Sequence, residues 1–284
     1  MRRPGLAIVA LLAVCTGVVL AGCSDTGPSS VGRAQPTSTT LAVTTTTLVP
    51  QAELARTLLR AETALRNPAT PATEITALGQ AQQQAYEALV ARPEWDTEVL
   101  ALLPESLQGT VEANVVAGRE LKALNGPVEP GRPLPRWRIV PPDPPEQLLP
   151  LYRAAGAAAG GVPWQYLAAI HLVETRMGRI KGDSTAGAQG PMQFIPTTWD
   201  IYGQGGDITS NRDSIYAAAR LLRATGAPSN MAKALRAYNN SARYVKAVTN
   251  YAEQMVTDER AYLGYHAWQV YYGPRLLPEG TVIG

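Results

Sequence analysis

The chain has 284 residues, with 25 Lys and Arg against 23 Asp and Glu, and only 2 His and 2 Cys. So even a charge balance gives no long-range attraction to polyanions and argues against nucleic acid as a partner. Two histidines argue against a zinc site, and the length suffices for a sizeable core or for more than one domain.

Arg2 and Arg3 precede an apolar run from Leu6 to Ala21 that ends at Gly22-Cys23. A charged start before roughly 15 apolar residues has the size of a signal-peptide core and is short for a membrane-spanning helix. Leu20-Ala21-Gly22-Cys23 resembles a bacterial lipobox. The resemblance implies removal of residues 1–22, acylation of Cys23, and a lipid-anchored place in the cell envelope, at the outer face of the cytoplasmic membrane or in the periplasm. Two or three acyl chains would hold firmly, at about 0.8 kcal/mol per buried methylene. Processing takes away Arg2, Arg3 and Cys15, leaving 23 basic against 23 acidic side chains and no thiol for a disulfide. Stability then has to come from packing.

Residues 23–50 read as a Thr/Pro-rich tether, as in Pro36-Thr37-Ser38-Thr39-Thr40, too poor in apolar surface to offset its ordering entropy. As a flexible coil it spans roughly 30 Å, and about 80 Å when extended. Residues 51–125 read as helices. Leu54, Leu58, Ala61 and Leu65 recur at helical spacing up to Asn67-Pro68; Ile75, Leu78, Ala85 and Leu89 do so before Pro93; Leu107, Val111, Val115 and Leu121 do so before Asn125-Gly126. This predicts a small accessory bundle without chemistry of its own, whose protein partners the sequence does not name. Residues 126–145 carry eight prolines, which exclude regular helix and favour an extended strap. Trp137 and Ile139 predict that the strap packs on a neighbour.

Residues 146–265 are again helical in pattern. Pro163 suits a helix start, and Trp164–Met177 runs until Gly178, followed by a Gly-rich loop at 179–190. Asp213 is the expected cap of a helix through Thr225, Ser229 of one over Asn230–Tyr238, and Ser241 of a long helix toward Tyr265. No segment reads as a strand. The mature chain is therefore predicted to be all-α, with 266–284 as an unassigned tail. Because the chemistry follows the strap, residues 132–284 are expected to fold alone.

That chemistry begins in Trp164–Met177, a segment apolar almost all round and therefore buried. Glu174 is its only acid, and Leu167, Ile170 and His171 share its side. Burial disfavours the ionised carboxyl and raises its pKa, as general acid–base catalysis near neutral pH requires. A lone Glu near a helix end is more often structural, and His171 reads as a satisfied core or groove residue. Downstream, Ser184-Thr185-Ala186-Gly187-Ala188-Gln189-Gly190-Pro191-Met192-Gln193 offers close backbone approach and an amide suited to sugar groups. Ala237-Tyr238-Asn239 adds an aromatic and an amide at a helix junction.

In this order and spacing, the Glu174-Thr-Arg-Met-Gly, Ser184–Gln193 and Ala237-Tyr238-Asn239 segments resemble the lysozyme-like lytic murein transglycosylases. The Phe194–Trp199, Gly206-Asp207-Ile208 and Tyr244-Val245 segments look most like the membrane-bound B type. The resemblance spans roughly residues 147–250 and says nothing of 51–125. It implies a lysozyme-like domain acting on peptidoglycan glycan strands without cofactor or metal. Glu174 would protonate the oxygen leaving N-acetylmuramic acid, then accept the C6 hydroxyl proton as a 1,6-anhydro ring closes. Ser184 would position the N-acetyl group, Gln193 and Tyr238 would orient the sugar and the Glu, and Asn239 would line the groove. Pro191 stands where the family often has Leu. Asp207, Asn211 and Asp213 do not fit the spacing of a calcium loop, so no calcium is expected. Two alternatives stand beside this reading. One is a hydrolytic muramidase, which needs a second carboxylate, with Asp183 nearest and Asp200 and Asp207 more remote; the other is a non-catalytic glycan-binding lipoprotein.

Overall fold

The computed structural model describes residues 50–127 and 135–284. The expected signal peptide, Cys23, the expected tether before Pro50 and residues 128–134 of the expected strap lie outside the described residues. Among those described, eleven α-helices dominate, with five strands of two or three residues. Mostly helical architecture is as the pattern predicts; the expectation of no strand is wrong.

The first helices are α1 (Pro50–Arg66), α2 (Ala72–Ala91), α3 (Asp96–Ala101) and α4 (Glu105–Asn125). They form where the apolar spacing placed them: Leu58 and Leu65 of α1, Leu89 of α2, and Val111, Val115 and Leu121 of α4 are buried. The six-residue α3, after a 3₁₀ turn at Pro93–Trp95, is too short to leave a periodic signal. β1 (Trp137–Ile139) is the strap, with Trp137 and Ile139 buried and Arg138 exposed in strand alternation. Next come α5 (Pro145–Ala158), α6 (Trp164–Thr175), β2 (Ile180–Lys181), α7 (Pro196–Tyr202), α8 (Asn211–Thr225), α9 (Met231–Tyr238), α10 (Ala242–Thr257) and α11 (Ala261–His266). The chain then forms β3 (Val270–Tyr272), β4 (Arg275–Leu277) and β5 (Val282–Ile283).

Three caps refine the sequence reading. Ser210, not Asp213, caps α8, its Oγ accepting from Asp213 N. Asn230, not Ser229, caps α9 by accepting from Lys233 N at 2.9 Å. Ser241 does cap α10, but that helix stops at Thr257 and α11 is separate.

The strap and the tail are strands for the same reason. β1 pairs antiparallel with β2 on one side and with β5 on the other, so the end of the chain completes a three-stranded sheet. β3 and β4 form a separate antiparallel pair joined through Gly273, whose φ of 61° suits the turn.

Helices α1–α4 are not a satellite. One apolar cluster joins Leu58, Leu89, Val115 and Leu121 to Leu167, Ile170, Leu235, Val248 and Trp268. α4 packs along α10, with Glu120 bridging Arg243 and Lys246 at 2.9 and 3.1 Å. The polar contacts are more telling. Fully buried Glu62 accepts from Arg66, Tyr86 and Gln82, and Gln82 Oε1 accepts from Trp268 Nε1 at 2.9 Å. Gln83 bonds both the N–H and the carbonyl of Gln269, and Tyr265 OH donates to Asn114 at 2.7 Å. Buried groups of this kind depend on their partners. The helices before the strap and the residues after α10 therefore share a core, contrary to the expected self-sufficiency of residues 132–284.

Candidate active site

Helix α6 runs through the middle of the core, with every residue from Tyr166 to Thr175 buried. It ends in three consecutive left-handed residues, Arg176 at φ 53°, Met177 at 59° and Gly178 at 82°. Their reversal is fixed by Arg176 N to Leu172 O and Met177 N to His171 O, both at 3.1 Å. Two of the three are not glycine, so surrounding contacts must enforce a conformation that costs about 1 kcal/mol or more apiece.

Glu174 is the penultimate residue of α6 and is 5 % exposed. Its Oε1 accepts from Tyr244 OH at 2.7 Å, while Oε2 is buried without a hydrogen-bond partner. Burial pushes the carboxyl up to about 8, and the Tyr244 hydroxyl, which favours the ionised form, opposes this only in part. Among the described residues no second acid contributes to the shift. At neutral pH the group is largely a protonated acid.

Two tyrosines back it. Tyr238 and Tyr244 stack nearly parallel, ring centres 6.3 Å apart at 4°. Burial and the nearby Glu174 charge hold both phenols well above their ordinary range, so both stay neutral donors. Tyr244 lies in the first turn of α10, three residues after its Ser241 cap. The resemblance implies that Gln193 and Tyr238 orient the Glu; the hydroxyl that bonds it is that of Tyr244. Tyr238 OH donates to Met192 O at 2.6 Å, and its ring is fully buried, so it braces the site rather than facing a sugar. A second tyrosine six residues on, just past a cap, was the signal available.

The loop from Gly182 to Gln193 is pinned to α6 and α9. Thr175 Oγ1 donates to Pro191 O at 2.6 Å, so the two hydroxyls of Thr175 and Tyr238 hold consecutive loop carbonyls. Gln189 and Phe194 exchange both backbone hydrogen bonds at 2.9 Å. Phe194 packs edge-on between Trp199 and Tyr238. Gln193, itself left-handed at φ 48°, donates its amide to Gly190 O at 2.9 Å and Gly182 O at 3.4 Å. Ser184 Oγ accepts from the N–H of Ala186 and Ala188 at 3.2 and 3.0 Å. These polar groups build the loop before they meet any ligand. Gly190, at φ 72°, cannot be replaced without collision, because a Cβ would stand 1.9 Å from Ile208 O.

Thr175, the chain neighbour of Glu174, and Tyr238 thus meet the loop at residues 191 and 192, next to Gln193. Asn239, buried, follows α9 with its N–H on Leu235 O at 2.9 Å. Asp183 is exposed. His171 bonds Tyr152 OH through Nδ1 at 2.7 Å, and burial drives its pKa down to about 3, so it is a neutral core residue. Four surface clefts are lined by other residues, and none of the four includes Glu174. Among the described residues no group of three or more His, Cys, Asp or Glu could hold a metal ion, and no helix is long and apolar enough to cross a membrane.

Compared with family models, with curated proteins and with solved structures, the chain matches none.

Proposed function

We propose that this protein is a peptidoglycan lytic transglycosylase on a lysozyme-like domain, held to the membrane through an acylated Cys23. The observation that carries the reading is the state of Glu174: a buried carboxyl, raised to about 8, with one oxygen held by Tyr244 and the other unpartnered. Such a group is an acid at rest and, once it has given its proton, a base that burial makes eager to recover one. One carboxyl can serve both steps only if the nucleophile comes with the substrate. The C6 hydroxyl of the muramic acid meets that need, since an intramolecular attack has a very high effective molarity.

In the proposed sequence Oε2 of Glu174 protonates the glycosidic oxygen as the bond to the sugar's C1 breaks. The N-acetyl oxygen supports the cationic centre. The resulting carboxylate, steadied by Tyr244, takes the C6 hydroxyl proton as that oxygen bonds to C1, and the atoms balance without water. Ser184 and Gln193 shape the loop over the N-acetyl side, and Asn239 lines the groove.

One observation favours a second reading, since a carboxyl so buried suits a structural residue in a non-catalytic glycan-binding protein. A structural carboxyl, however, normally has both oxygens bonded, and Oε2 does not.

Two substitutions test the assignment. Asp183→Asn should leave turnover unchanged, because the mechanism has no second carboxylate; an inactive variant would sink it in favour of a muramidase. Tyr244→Phe removes a donor that favours the ionised form, so the alkaline limb of the pH–rate profile should move upward and the rate fall about tenfold. An unmoved limb would show that Glu174 is not the titrating acid.

A further inference from the structure

The even charge of the whole chain hides a local imbalance. From Ser214 to Ala252 stand six of its 25 basic residues and none of its 23 acids. Lys233 and Arg236 of α9 are exposed, as are Arg243 and Lys246 of α10. α9 packs against α10 across the short junction 239–241, which makes the two pairs neighbours. Each pair is spaced i, i+3, so two like charges share one helix face at a cost in helix stability. Lys233 and Arg243 also lie in the first turns of their helices, where the backbone dipole disfavours a cation. Helices α1 to α5 and α8 each carry an acid there instead.

Little in the fold neutralises this face. Glu120 of α4 serves Arg243 and Lys246 together, at 2.9 and 3.1 Å. The side chains of Lys233 and Arg236 have no hydrogen bond or ion pair among the described residues. Around the four cations the exposed side chains are small, those of Ala232, Ala237 and Ala242. None of the four surface clefts is lined by Lys233 or Arg236. An open cationic face of this kind suits an extended anionic surface rather than one small anion.

The path of the chain favours a lipid surface. The turn 67–71 makes α1 and α2 antiparallel, so the start of α1 lies toward the end of α2. Near that end Leu89 O accepts from Arg119 of α4 at 2.7 Å, and the next residue, Glu120, holds Arg243 and Lys246. Pro50, where the expected tether joins the domain, is thus on the side where the cations gather. We propose that α9 and the first turns of α10 dock on anionic phospholipid headgroups through Lys233, Arg236, Arg243 and Lys246. The proposal rests on the reading of Cys23 as an acylated anchor. An acyl anchor and a basic face are two membrane signals, and the second fixes which side of the domain meets the bilayer.

The test is co-sedimentation with vesicles of the mature chain, residues 23–284 with Cys23→Ser, so that no acyl group takes part. Vesicles of phosphatidylcholine and phosphatidylglycerol in equal parts should bind it, less so as salt rises, and phosphatidylcholine alone should not. Lys233→Glu with Arg236→Glu should weaken binding about tenfold or more. The same reversal at Arg56 and Arg60, exposed on α1, should change it by less than about twofold. The α9 reversal puts an acid in the first turn, so its melting temperature should hold or rise. Lys233→Gln with Arg236→Gln, which only removes charge, should weaken binding in the same sense. Equal weakening by the two reversals, or binding to neither vesicle, would overturn the proposal. So would capture by soluble poly(glycerol phosphate) in preference to vesicles, which would make the partner a wall polymer. The probe carries no acyl group and meets no glycan, so these failures leave the readings of Cys23 and Glu174 standing. Vesicle binding by a chain whose Cys23 is never acylated would remove the anchor and leave the lipid face.

Discussion

Glu174→Gln should abolish peptidoglycan turnover and at the same time make the protein more stable at alkaline pH. The two effects have one cause. Glutamine keeps the shape and can still accept from Tyr244, but it carries no transferable proton. A general acid–base group contributes about 10²–10⁴-fold, and more when it serves two steps. Stability follows from linkage. The wild-type carboxyl titrates near 8 in the folded chain, against an ordinary 4.5. Between those values the folded state binds more protons than the unfolded one, so stability falls as pH rises through that window. It is fully present below about pH 4.5 and lost above about 8. The glutamine variant has no such loss. With about 1.4 kcal/mol per pH unit as the upper rate, it should gain on the order of a few kcal/mol at pH 8. At about 2–4 °C per kcal/mol, that is several degrees in Tm. At pH 4 the two proteins should melt together. Melting curves that stay parallel from pH 4 to 9 would show that Glu174 is not strained toward its neutral form. A stabilising loss of function is the expected mark of a group held for chemistry rather than for packing.

The second large effect concerns the helices before the strap. Residues 132–284 alone should show no cooperative thermal transition. Removing α1–α4 uncovers Trp268 and Tyr265, the α4-facing side of α10, and the partners of Gln82, Gln83 and Asn114. Uncovering four or five large side chains costs roughly 10 kcal/mol, which is comparable with the whole stability of a domain, about 5–15 kcal/mol. α10 also carries Tyr244, so the loss would reach Glu174. A sigmoidal transition with retained near-ultraviolet dichroism would show that the core divides at the strap after all.

How far the sequence could be read follows the length over which each signal repeats. Leu58 and Leu65, or Val111 and Leu121, recur over several turns, and the helices stand where they indicate. Glu174 was legible because it is the single acid in an apolar helix, a pattern that predicts burial and hence a raised pKa. The strands were not. β2 and β5 are two residues each and draw their partners from β1, about 40 and 145 residues away in the chain, so no local alternation marks them. The shared core was missed for a related reason. Glu62, Gln82 and Gln83 look like solvated polar residues on a helix, and only the arrival of Trp268 and Gln269 from the far end makes them buried. Tyr238 and Tyr244 were separable only by geometry, since either phenol could have reached the carboxyl from the same junction.

The most direct test is the mass of what purified full-length protein releases from peptidoglycan. If Glu174 acts alone and O6 attacks, the muropeptides should each be lighter by one water than those of a muramidase digest, with no reducing muramic end. Hydrated, reducing products would contradict the single-carboxylate mechanism. Binding without release of any muropeptide would leave Glu174 as a structural residue.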